Sequence, residues 1–151
     1  GIFNLYYFKF VQKAIFINKH LYHYRKTNTK SITSVYDSRK FHLWKNQFKI
    51  IEDYIRINQF SQEYFDGLKN RVGLSYIVLG LNALKQKGGW TKILNTLDEL
   101  LTDEEYSKGL NHISVRYMPI HWKVFFISCK RRWTVLLYLQ LLLIAELKKH
   151  I

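Results

Sequence analysis

Residues 38–59 read SRKFHLWKNQFKIIEDYIRINQ. Phe41, Trp44, Phe48, Ile51 and Ile55 recur at three- and four-residue spacing, which puts them on one face of a helix, while Lys45, Lys49, Asp53 and Arg56 fall on the opposite face. The period predicts a long amphipathic helix, and its apolar stripe reads as core rather than as a partner groove. Downstream, residues 62–86 form a second expected helix, almost wholly apolar from 74 to 84 and therefore expected to be buried. Gly73 and Gly80 thin its side chains, leaving room for a neighbour to approach. The KGG triplet at 87–89 breaks that helix. A third is expected over 90–101, and Thr102-Asp103-Glu104-Glu105 has capping-box spacing, with Thr102 as N-cap and Glu105 reaching back, so a fourth helix starts there.

Upstream of the quoted stretch the pattern changes. Phe3, Leu5, Tyr6, Phe8 and Phe10 are too densely apolar for one clean face, which predicts a helix tail packed on several sides. The run AIFI at 14–17 and the run LYHYR at 21–25, separated by a turn at 18–20, read as a short strand pair, with Tyr22 and Tyr24 on one face and His23 and Arg25 on the other. KTNTKSITS at 26–34 is a polar loop. The expected class is thus mostly α, a short β-strand pair followed by a helical region with amphipathic terminal helices. The division falls at residues 1–34 and 35–151.

From about residue 113 the chain differs again. Trp122 and Trp133 flank the basic run Lys130-Arg131-Arg132, and residues 135–145 are apolar but for Gln140. Those eleven residues fall short of the roughly 20 that span a bilayer as a helix. Aromatic and aliphatic residues with basic clusters beside them describe a helix lying in the interface, with Trp122, Lys130, Arg131, Arg132 and Trp133 at an anionic membrane surface.

The whole chain has 151 residues, 24 Lys+Arg against 11 Asp+Glu, a formal charge of +13, and 48% hydrophobic residues. It has enough apolar material for a sizeable core, which excludes intrinsic disorder. Residues 1–60 carry 11 basic and 3 acidic residues and residues 110–151 carry 7 and 1, whereas the middle is near neutral. Such a field favours polyanionic partners. The single Cys129 can form no intrachain disulfide, which fits a reducing compartment, and the apolar start has neither the basic region nor the cleavage site of a signal peptide. A chain opening Gly1-Ile2-Phe3 reads as cut from something longer.

No active site assembles from these residues alone. There is no glycine-rich phosphate loop, and the six histidines share no metal-ligand spacing. The acidic clusters Asp98-Glu99 and Asp103-Glu104-Glu105 are expected at helix ends, where carboxylates meet the dipole.

The stretch 15–33, IFINKHLYHYRKTNTKSIT, resembles bacterial family 2 glycosyltransferases of the cell-surface polysaccharide type, which have the GT-A fold. In that family an acidic motif followed by Phe-Asn leads through a strand to a Tyr-x-Tyr-Arg strand and a Ser/Thr loop. Phe3-Asn4, Tyr22-His23-Tyr24-Arg25 and Ser31-Ile32-Thr33 match those parts. His20 stands where the family has Pro. The resemblance implies that residues 1–34 end a catalytic domain, and that Arg25, His23, Tyr24, Ser31 and Thr33 contact the donor diphosphate or the acceptor. A planar guanidinium suits a diphosphate, and such donors act most strongly as charge develops on the leaving group.

By the same resemblance the general base and the donor half, with the Asp-x-Asp that holds Mg or Mn, lie ahead of Gly1. No catalytic or metal residue is then expected in this chain, which alone should be inactive. The implied partners are a nucleotide-sugar donor, a glycan or lipid-linked acceptor and an anionic membrane, at the cytoplasmic face of the cell membrane and without nucleic acid. The competing readings are a basic helical nucleic-acid-binding module and a partner-binding module without catalysis.

Overall fold

The computed structural model describes residues 4, 6, 7, 9–19 and 35–148. The chain divides into two compact units, residues 1–35 and 36–151. In the first unit Asn4, Tyr6 and Tyr7 are helical, and the Phe10 N–H closes a turn onto the Tyr7 carbonyl at 3.0 Å. The densely packed tail expected here is not seen on the described side chains, since Tyr6, Tyr7 and Phe10 are exposed.

The expected strand pair is corrected as well. Residues 14–17 carry no strand, and Phe16 is 92% exposed. A β-branched, aromatic run supplies side chains that suit a sheet, but a strand exists only when its N–H and C=O groups meet a ladder partner. The second half of the pair, 21–25, lies outside the described residues, as do His20, the loop at 26–34 and Phe3, Leu5 and Phe8.

The second unit is built from six helices: α1 (Lys40–Ile57), α2 (Gln62–Ala83), α3 (Gly89–Thr102), α4 (Glu104–His112), α5 (Ile120–Lys130) and α6 (Thr134–Leu147). No strand occurs among the described residues. The α1 stripe is core as its period demands: Phe48, Ile51 and Ile55 are buried, and Phe41 and Phe48 lay their rings near Tyr106 of α4. α1 ends with two reverse bonds, Gln59 N–H to Arg56 O and Phe60 N–H to Ile55 O, each 3.1 Å. That geometry is a Schellman cap, and it forces Gln59 to φ 52°, where glycine is the favoured residue.

Helix α2 is the axis of the unit and packs against α1, α3, α4 and α6. Its closest neighbour is α4, because glycine faces glycine. A Cβ on Gly73 would stand 2.7 Å from the Gly109 carbonyl oxygen, and one on Gly109 would stand 2.9 Å from the Gly73 nitrogen. A Cβ on Gly80 would likewise meet Leu141 of α6 at 2.7 Å. Burial of α2 is incomplete, however, since Leu74 and Val78 are exposed. Four neighbouring helices still leave one strip of its circumference uncovered.

Polar clamps fix the ends. Asp37 N–H donates to Asn82 Oδ1 at 3.1 Å and Asn82 Nδ2 returns a bond to Asp37 O at 2.9 Å, tying the lead-in of α1 to the end of α2. The expected capping box is replaced by a different cap. Asp103 is the N-cap of α4, its Oδ1 accepting from Glu105 N–H and Tyr106 N–H, while the Thr102 hydroxyl donates back to the Asp98 and Glu99 carbonyls. α3 runs through Thr102, so the next residue, Asp103, takes the capping role. Lys45 Nζ bonds its other oxygen at 2.6 Å, joining α1 to α4.

Candidate functional site

The sequence-derived contacts to donor or acceptor, Arg25, His23, Tyr24, Ser31 and Thr33, all lie outside the described residues. The implied divalent cation also finds no ligands, for among the described residues no three His, Cys, Asp or Glu side chains gather. Nor is there an activated nucleophile in the core. Burial pushes the Cys129 thiol and the Tyr76 hydroxyl up from their ordinary values, and burial is also the main reason that Tyr106 is pushed up to about 12. Each stays protonated at neutral pH.

What the structure does assemble is the corner between α5 and α6. Helix α5 ends at Lys130, and Arg132 N–H to Cys129 O (3.1 Å) and Trp133 N–H to Ser128 O (3.0 Å) form a second Schellman cap. Arg132 takes φ 56°, the left-handed conformation that breaks the apolar tail into two helices. Of the five surface residues read from the sequence, Arg131, Arg132 and Trp133 are exposed, and Arg131 makes no ion pair among the described residues. Lys130, Arg132 and Trp122 each contact the unit. Lys130 Nζ donates to Ile113 O at 2.7 Å and Asn111 O at 3.3 Å, covering the C-terminal carbonyls of α4. Arg132 lies 3.7 Å from Asp98 Oδ1, and that oxygen also accepts from the Thr134 hydroxyl at 3.4 Å. The Trp122 ring is half-buried against Phe125 and Phe126.

Asp98 therefore differs from its expected role. It sits in the C-terminal half of α3, where a carboxylate opposes the helix dipole, and its partners are Arg132 and Thr134 across the α3–α6 contact. Comparison with family models, with curated proteins and with solved structures gave no match.

Beyond the corner runs α6, the most uniformly apolar helix of the unit, with no charged residue from Thr134 to Ala145. Leu137 and Leu141 are fully buried against α2, α3 and α5. Val135, Leu136, Leu139, Leu142, Leu143 and Leu147 are exposed. At about 3.6 residues per turn those six positions occupy a continuous arc of roughly 140°. An open cavity of about 580 Å³ at the start of this arc is lined by Arg132, Trp133, Val135, Leu136 and Leu139, among others. The signal for the arc was in the sequence as an apolar run longer than one buried face requires, but only the packing shows which residues remain outside.

A second cavity, about 500 Å³ between α1, α2 and α4, has charged walls over a floor of Phe65, Leu68 and Val72. Its cations are largely matched: Lys45 with Asp103, Arg56 with Glu52, Lys69 with Asp66 and Lys108 with Glu104. A wall neutralised in this way offers little to a polyanion. No helix among the described residues is long and apolar enough to cross a membrane.

Proposed function

We propose that this chain is the C-terminal part of a glycosyltransferase that moves a sugar from a nucleotide-diphosphate donor to a membrane-linked or cell-surface polysaccharide acceptor, with the helical unit lying at the cytoplasmic face of the cell membrane. The observation that carries this reading is the uncovered aliphatic arc of α6 beside a basic corner. An enzyme whose acceptor is anchored in a bilayer gains encounter rate by residing on the same surface, and exposed apolar area of that extent marks an interaction surface. The sugar-transfer half rests on the Tyr-x-Tyr-Arg and Ser/Thr resemblance at 22–33. In that reading Arg25 holds the diphosphate and, with the hydroxyls of Ser31 and Thr33, stabilises the charge that develops as the nucleotide leaves. The divalent cation would belong to the donor-binding half, and no step is assigned to it here.

The test uses the full-length gene product with radiolabelled nucleotide sugars and acceptor presented in vesicles or in solution. Transfer that prefers the vesicle acceptor, and that falls by about a hundredfold or more in Arg25→Ala, supports the reading, since a charge-assisted transition-state contact accounts for loss of that order. Full activity in Arg25→Ala removes it. The charge of +13 keeps a nucleic-acid-binding reading in view. Salt-sensitive retention on DNA without sugar transfer would favour that alternative.

A further inference from the structure

We infer that α6 is the docking element itself and lies in the plane of an anionic phospholipid bilayer, immersed along its Leu139–Leu143 side and held mainly by apolar insertion rather than by charge. The inference sharpens the membrane part of the proposed function and is independent of sugar transfer. Three observations lead to it. The exposed arc is purely aliphatic from Val135 to Leu143, with Glu146 exposed only in its last turn, so along that length it has nothing to offer a hydrated or polyanionic partner. The helix is 14 residues long, too short to span a bilayer but well suited to lie along one. Its two ends are basic, with Arg131 and Arg132 at the start and Lys148 just past the end, as an anionic headgroup layer requires.

The same ends disfavour a second copy of the chain. Two α6 helices packed in parallel would bring the arginine corners together. Packed antiparallel, each corner would meet Lys148 of the other copy, with Glu146 as the one acidic residue nearby.

The structure also sets the balance between insertion and attraction. Of the cations at the corner, Lys130 is turned onto the carbonyls of α4 and Arg132 toward Asp98, so Arg131 and Lys148 carry most of the attraction to lipid phosphate. Each such cation contributes about a fivefold increase in partitioning, whereas withdrawing one inserted leucine costs about tenfold or more. Docking should thus persist at raised salt and vanish when the arc is made polar. The sequence alone does not set this balance, because it counts Lys130, Arg131 and Arg132 as equal.

The experiment is flotation of the full chain with phosphatidylcholine vesicles, with and without phosphatidylglycerol, at low and raised salt. Leu139→Lys with Leu143→Lys changes only exposed side chains, and circular dichroism checks that the fold is kept. Binding that phosphatidylglycerol strengthens but does not create, that drops less than about tenfold with salt, and that is lost in the double variant supports the inference. A fluorophore at Leu143→Cys should shift to the blue on vesicle addition, and labelling is selective because Cys129 is buried. Absence of binding by the folded wild type, or equal binding by the double variant, overturns it. So does a salt-resistant dimer broken by the double variant with no vesicle binding, which would make a second copy the occupant. Intact vesicle binding with no sugar transfer by the full-length protein overturns the enzymatic reading and leaves this one standing.

Discussion

Helices α2 and α6 contain the two longest apolar runs of the chain, residues 74–84 and 135–145, and the fold treats them differently. α2 is packed by four helices and, within its apolar run, leaves Leu74 and Val78 exposed, whereas α6 buries Leu137 and Leu141 and exposes six aliphatic side chains. A run of apolar residues states a capacity for burial. How much of it is used depends on how many neighbours the topology supplies, and a helix that ends a bundle has neighbours on one side alone. The unmatched remainder on α6 is the surface assigned here to the membrane.

The sharpest way to break that contrast is at the α2–α4 contact. Gly73→Val places a side chain against the Gly109 backbone, which cannot rotate away, so we expect a loss of about 3 kcal/mol or more in urea unfolding. Next, α6 should answer differently on its two sides. Leu141→Ala, at a site with no exposure, should cost about 3 kcal/mol through the cavity it leaves beside Gly80. Leu143→Ala, 63% exposed, should stay within about 0.5 kcal/mol. Equal losses at the two positions would show that the arc is covered in solution and would remove the basis of the contrast.

A smaller effect tests the cap that joins the helices. Asp103→Ala removes the acceptor of two backbone N–H groups and the partner of Lys45, for an expected loss of about 1 to 2 kcal/mol in thermal unfolding. Thr102→Ala, which the sequence pattern names as the cap, should change stability by less than about 0.5 kcal/mol. The smallest change is a gain. Gln59→Gly relieves a left-handed residue at the end of α1 and should add up to about 1 kcal/mol.

Particular residues show what was legible. The 41-44-48-51-55 stripe names the buried face of α1, and apolar period with the glycines at 88 and 89 predicts helices over 62–86 and 90–101, against 62–83 and 89–102 in the structure. The strand pair failed at 14–17, because side-chain preference was read where ladder partners decide. The capping-box spacing names Thr102 as the cap, and the continuation of α3 by one residue moves the role to Asp103. Among the surface residues, charge and ring type at 122 and 130–133 are visible, but the contacts that engage Lys130 and Arg132 span 17 to 34 residues, and the ring contacts of Trp122 lie inside α5.

By itself, then, the sequence determined the mostly helical class, the approximate positions of α1 to α4 and the basic character of both ends, because these follow from composition and from periods within one or two turns. Tertiary structure alone decided which apolar residues of α6 stay outside, which cations are already engaged, and that two glycines meet between α2 and α4. Those outcomes depend on contacts between segments far apart in the chain, where excluded volume and backbone hydrogen bonding leave few arrangements and local pattern has no bearing on the choice.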